Sequence, residues 1–341
     1  MANINIKFNN KTYLINSAAL ADAMALLEGH FISMTNGSSE PSVAGLYQTG
    51  AVALYEEQGA GAIEGMLITS WDNLLINGTI TVNEGTASCA DDTIAGDLFF
   101  PNDGSITALS DSTFCYCNLT GVVIFEGIAN IMGTIFQNCA NLTNVVIPEG
   151  VTKISGTFYN CPSLESVTLP KSVTSIGINA FTDCPNLVNI VIPDGVTSIG
   201  KSAFESCESL TGIGIPDSVT SIGVRAFFNC SGLTSIVIPE GVATITSYAF
   251  SSCDSLTSIV IPDSVTSIDA DALSGCTSLA SIVIPKSVTK IGANAFFNCS
   301  SLTSINFEGT KQQWGRVTKG TYWKKNAPAT HVHCTDGDVA L

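Results

Sequence analysis

From Phe114 to Leu302 the apolar residues return with a period of 23, shortened to 22 at the start. One clear unit runs Ile261-Pro262-Asp263-Ser264-Val265-Thr266-Ser267-Ile268 and continues through Ala272-Leu273 to Cys276 and Leu279. Just before it, residues 256–261 (LTSIVI) are dominated by β-branched side chains, which predicts a strand. Alternation along that strand turns Ile259 and Ile261 inward and Ser258 and Val260 outward. Pro262 ends it, having no amide to donate to a ladder. Val265 and Ile268 turn back toward the core, with room for a second short strand. Ala272-Leu273 and Cys276 fit about one helical turn, the small alanine allowing the next coil to come close. A period of this length with fixed apolar positions predicts a stack of coils in which each unit completes its neighbour's core. Successive strands pair in parallel at about 4.8 Å, so about ten coils make a rod of roughly 45–50 Å. A degenerate copy at Leu98-Phe99-Phe100-Pro101 places the start of the stack near residue 95.

Two columns mark the repeat. Cysteines stand at Cys117, Cys139, Cys161, Cys184, Cys207, Cys230, Cys253, Cys276 and Cys299. Three residues before them stand Phe114, Phe136, Phe158, Phe181, Phe204, Phe227, Phe250, Leu273 and Phe296. The unit P-[DE]-[SG]-V-T-S-I-G-x-x-A-F-x-x-C-x-S-L-T-S-I-V-I, matched closely by residues 193–215 and 216–238, resembles the BspA-like (Treponema-type) leucine-rich repeat. The resemblance covers residues 95–309. The tail, Phe307-Glu308-Gly309-Thr310 with Trp314, Lys319, Trp323 and His333-Cys334-Thr335-Asp336-Gly337, resembles the C-terminal end common in that family. The resemblance implies an α/β chain: a right-handed leucine-rich-repeat solenoid with a parallel β-sheet and short helical turns. It also implies a bacterial surface or secreted protein of adhesion and protein binding, working without catalysis.

An open solenoid exposes its core at both ends and calls for caps. Residues 1–35 predict a small α+β unit, ββα: Ile4, Ile6 and Phe8 alternate, Thr12 to Ile15 follow as a second strand, and Ser17 starts a helix through Leu20, Met24 and Leu27 to near Gly29. Residues 36–94 form a linker, clearest at 36–44, and a pre-repeat segment. Within it, residues 70–75 predict a short helix and 79–82 a strand. The solenoid takes 95–309. Residues 310–341 form a C-terminal cap, with a helix around Trp314 and a terminal strand over 330–334.

Composition narrows the function. Hydrophobic residues make up 45% of the 341 and charged residues 12%, enough for a large core. The net charge of −16 argues against a nucleic-acid partner, which requires clustered Lys and Arg. The mildly basic end, with Lys311, Arg316, Lys319, Lys324 and Lys325 against Asp336 and Asp338, forms no basic stripe. No apolar run is long enough for membrane insertion. The first residues alternate polar and apolar and lack the h-region of a signal peptide, so the chain is compatible with the cytoplasm as well as with the cell surface that the resemblance implies.

Candidate chemistry is sparse. Thiols 22 or 23 residues apart form a column, not the C-x₂₋₄-C pairs of a metal site, and their parallel directions suit disulfides poorly. They are expected as buried apolar fillers. Cys115 and Cys117 share a face if extended, leaving a local redox role open. His331 and His333 share a strand face near Asp336 and Asp338 but lack a third convergent ligand, and His30 sits near a helix end. No Ser-His-acid or Cys-His arrangement assembles and no phosphate loop occurs, so neither catalysis nor a cofactor is expected.

Two outer columns remain. Just past the strands lie Glu126, Glu149, Lys171, Asp194, Asp217, Glu240, Asp263 and Lys286, a mostly acidic edge expected to be solvated. At the outward strand position lie Val146, Thr168, Val191, Gly214, Val237, Val260, Val283 and Asn306. A parallel sheet with a bare apolar face is uncommon, and contiguous exposed patches mark interaction sites. Gly212 and Gly214 would dent this ribbon. The ribbon is the candidate interaction surface for a protein or glycan partner; the alternative is a structural role through self-association.

Overall fold

The computed structural model describes residues 133–341 continuously, together with 109, 111–123 and 131, and, nearer the N-terminus, the backbone of short strands. Those strands include an antiparallel hairpin of Asn3–Phe8 with Lys11–Asn16 and a second of Ile80–Asn83 with Thr86–Cys89. The helix expected after Ser17, the linker at 36–44 and the helix expected at 70–75 lie outside the described residues.

The repeat folds as a stack of parallel coils. A first ladder runs through Ala95–Phe99, Asn118–Val123, Asn144–Val146, Ser166–Thr168 and Asn189–Ile190, all parallel and paired in that order. It resumes with Ser235–Val237 and Ser258–Val260, and again with Ser281–Ile284, Ser304–Phe307 and His331–Cys334. The alternation read from the sequence holds within each strand: Ser258 and Val260 are exposed and Ile259 is buried. The V-T-S-I segment forms a second ladder, with Lys153–Ile154, Ser175–Ile176, Ser198–Ile199 and Ser221–Ile222 in one sheet. Thr244–Ile245, Ser267–Ile268, Lys290–Ile291 and Thr318–Lys319 form another. In four of these coils glycine (Gly177, Gly200, Gly223 and Gly292) follows the isoleucine, where the coils nearly touch. A Cβ at Gly223 would lie 2.5 Å from the carbonyl carbon of Gly200, and one at Gly200 would lie 2.5 Å from that of Gly177.

The A-F-x-x-C segment differs from the expected helical turn. It forms tight hydrogen-bonded turns, with left-handed residues four apart, such as Ser202 with Ser206 and Arg225 with Asn229. Left-handed residues break a helix at once. They also aim the amides along the stack: Phe204 N–H donates to Ala226 O at 2.8 Å and Phe227 N–H to Ala249 O at 2.9 Å. A helix would have consumed these amides within one coil; the turns spend them between coils. Inside, the rings of Phe114, Phe136, Phe158, Phe181, Phe204, Phe227 and Phe250 stack with centroids 5.3–5.7 Å apart and planes within 4–11°. Leu273 ends the stack.

The C-terminal segment closes on aromatics. Thr310 caps the helix Lys311–Arg316 in a reciprocal box with Gln313. Trp314 is buried with its ring 5.2 Å from that of Phe307 and 5.9 Å from that of Trp323. The Lys319 ammonium lies 4.2 Å from the Trp314 ring centre and donates to the carbonyls of Trp314 and Val317. After His331–Cys334 the chain reverses, and Gly337–Ala340 pairs antiparallel with that strand.

Candidate interaction surface

The first ladder displays its outward residues without a covering layer. Val191 is 80% exposed, Val237 60%, Val260 51%, and Val146 and Val283 45% each. Thr168 and Gly214 are exposed and Asn306 is half-buried. The parallel register sets Val237 beside Val260 and Val283 beside Asn306. Val191 stands highest because the neighbouring coil offers Gly214, which has no side chain to pack against it. The ribbon is therefore two apolar stretches with a gap at Gly214. Around each of Gly212 and Gly214 a Cβ would meet nothing within 4 Å, so neither crowding nor backbone conformation demands glycine there.

Beside the valines run Asn144, Ser166, Asn189, Gly212, Ser235, Ser258, Ser281 and Ser304, one to a coil. Every side chain in these two columns is uncharged, on a chain whose net charge is −16. One position earlier, threonine hydroxyls are already engaged: Thr234 donates to Thr211 O at 3.0 Å and Thr257 to Thr234 O at 3.1 Å. The face thus offers methyl groups and serine hydroxyls and, in these two columns, no charged side chain. The charges lie on the adjoining edge, where Glu149, Lys171, Asp194, Asp217, Glu240, Asp263 and Lys286 are all exposed. Glu149 reaches along the stack and accepts from the amides of Lys171 and Ser172, both at 3.1 Å. Glu126 and His30 lie outside the described residues.

The cysteine column is more than filler. Each thiol from Cys139 to Cys299 donates to the carbonyl at the phenylalanine position of the preceding coil: Cys139 to Phe114 at 3.0 Å, Cys230 to Phe204 at 3.0 Å, and Cys299 to Leu273 at 3.1 Å. A buried carbonyl that would otherwise have spare acceptor capacity is satisfied by the smallest side chain that both donates and tolerates an apolar surrounding. Burial pushes the thiols of Cys139, Cys230 and Cys299 up to about 12. Cys115 and Cys334 are less buried, and desolvation raises both. None of these cysteines is disulfide-bonded. His333 pairs with Asp338 at 2.9 Å, while His331 bonds to Thr330. Among the described residues no three His, Cys, Asp or Glu side chains converge as metal ligands, and no helix is long and apolar enough to cross a membrane.

A family model described as BspA type Leucine rich repeat region matches residues 107–232 and 198–318, in six copies. The chain belongs to this family. Proteins of this repeat family are typically binding or adhesion scaffolds, and the fold is generally a non-enzymatic one. A leucine-rich repeat protein from Bacteroides ovatus shares the fold with a TM-score of 0.55 at 24% identity, covering 76% of this chain and 70% of that one. A leucine-rich repeat protein of T. pallidum is 32% identical over 54% of this chain and 83% of its own, with a TM-score of 0.43. A leucine rich cell surface protein from Faecalibacterium prausnitzii is 25% identical over 83% of this chain and 99% of its own, with a TM-score of 0.39. None of the curated proteins matches the chain.

Proposed function

We propose that this BspA-type repeat protein is a non-enzymatic binding scaffold of adhesion type, acting at the cell surface. Its outward first-ladder face, lined by Val146, Thr168, Val191, Gly214, Val237, Val260, Val283 and Asn306, receives a protein or glycan partner. The observation that carries this reading is the set of valines left 45–80% exposed on the outward strand face. Isolated exposed valines are ordinary, but Val237, Val260 and Val283 stand on successive coils, with Val191 and Val146 in the same column beyond the gap at Gly214, and exposed apolar surface of this kind marks interaction surfaces.

The test is capture of host-type surface proteins and glycans by the parent chain and by a Val237→Glu, Val260→Glu double variant. Both positions are exposed, so the variant keeps the parent's unfolding midpoint while losing capture. Capture by the refolded variant at the parent's level sinks the assignment of this face.

A further inference from the structure

Coil by coil, neighbouring units are joined along three lines: the first ladder, the second ladder and the turn ridge. Among the described residues from 144 to 319, only the coil of residues 210–230 lacks a ladder on both of its sides. Toward the preceding coil, the second ladder is intact between Ser198–Ile199 and Ser221–Ile222. The first ladder stops at Asn189–Ile190, and no backbone hydrogen bond joins residues 188–191 to 211–214. Toward the following coil the first ladder is reduced to one bridge, Gly212 with Ser235, and a bond from Thr234 N–H to Thr211 O. The second ladder is missing there, between Ser221–Ile222 and Thr244–Ile245.

The sequence supplies a local cause on each side. Gly212-Ile213-Gly214 stands where the next three coils have Ser-Ile-Val, and glycine weakens a strand. Thr246 stands where four other coils have Gly177, Gly200, Gly223 and Gly292 and two have Ser155 and Asp269. Its hydroxyl donates to the Ile222 carbonyl of the preceding coil at 3.0 Å, the position equivalent to the Ile176 and Ile199 carbonyls that accept from the amides of Gly200 and Gly223.

The ridge, by contrast, is reinforced at this point. The phenylalanine stack passes through at 5.3 and 5.4 Å. On the surface, Arg225 straddles three coils. It pairs with Glu205 at 3.4 Å and its guanidinium lies 5.0 Å from the Phe228 ring centre and 5.3 Å from that of Tyr248. Toward the preceding coil this unit is held by the ridge and the second ladder, and toward the following coil by the ridge and a single strand bridge, which is the geometry of a joint with its axis on the ridge.

We propose that residues 210–230 form a hinge that divides the solenoid into two cooperative blocks, one ending with the coil of Cys207 and the other beginning with the coil of Cys253. In a stack where only neighbours touch, a weak pair of interfaces is where cooperativity breaks and where the rod bends. The valines on either side of Gly214 can then change their mutual angle, so the face can fit partners of differing curvature.

One buried thiol per coil provides the readout. The full chain is equilibrated across a urea series, pulsed with an alkylating reagent, and the labelled cysteines located by mass spectrometry. The thiols of Cys161, Cys184 and Cys207 share one midpoint and those of Cys253, Cys276 and Cys299 another. Between the two midpoints the weaker block labels about tenfold faster than the other. Arg225→Ala widens the separation. Gly212→Ser with Gly214→Val, which adds side chains only into open space, narrows it, and adding Thr246→Gly merges the two transitions. A single midpoint for all six thiols in the parent overturns the hinge. So does a separation that the Gly212→Ser, Gly214→Val variant leaves unmoved.

Discussion

The turn ridge and the strand face are built from the same number of repeats, yet they differ in continuity. Along the ridge seven phenylalanines stack without a break and the thiols repeat one hydrogen bond eight times, from Cys139 to Cys299. Along the face the outward residue drifts from valine to threonine, glycine and asparagine, and the ladder is interrupted at Gly212 and again between Ser258–Val260 and Ser281–Ile284. The ridge residues meet an identical dry environment in every coil, so one solution serves them all. The face meets water, where nothing in the fold constrains the side chain. Uniform columns in a solenoid therefore report packing, and the column that varies is the one proposed to meet a partner.

Truncating the ridge should do the most damage. Phe204→Ala opens a cavity in the middle of the stack and is expected to cost about 3–5 kcal/mol in urea-monitored unfolding. Val260→Glu, on the face, should stay within about 0.5 kcal/mol of the parent. Equal losses at the two positions would erase the distinction between spine and surface.

Alkali should attack the ridge alone. The buried thiols of Cys139, Cys230 and Cys299 are held at about 12 against an ordinary 9.0, because burial disfavours the thiolate. A raised folded value means that the stabilisation is whole below pH 9 and is lost as pH climbs toward 12, since only the unfolded chain can release those protons. Each such thiol forfeits about 1.4 kcal/mol per pH unit across that window. Unfolding midpoints measured from pH 8 to pH 11 should fall steeply above 9, while a flat profile would contradict the burial of the column.

The smallest effect is expected on the face. With uncharged side chains in both outward columns, partner capture should change by less than about threefold between 50 and 500 mM salt. A steep salt dependence, followed by surface plasmon resonance, would move the contact to the acidic edge of Glu149, Asp194 and Asp263.

Much of the fold was legible in the chain alone, because a core that repeats must repeat its residues. The period, the inward Ile259, the terminating Pro262 and the Phe/Cys columns each follow from a residue type at a fixed spacing. The outward valines were legible too, from alternation along a strand. Other features required the third dimension. A helical turn and a pair of left-handed turns bury Ala, Phe and Cys with the same spacing, so sequence favoured the helix; what decides is that each coil's amides are needed by the next. The thiol bond to the preceding phenylalanine carbonyl depends on how close two coils lie, which no spacing within one coil can express. The interruption at residues 210–230 likewise lies between coils, where backbone pairing is lost on different sides of one unit. Sequence by itself determined what each coil is made of; only the stacking decided how firmly each is held to the next.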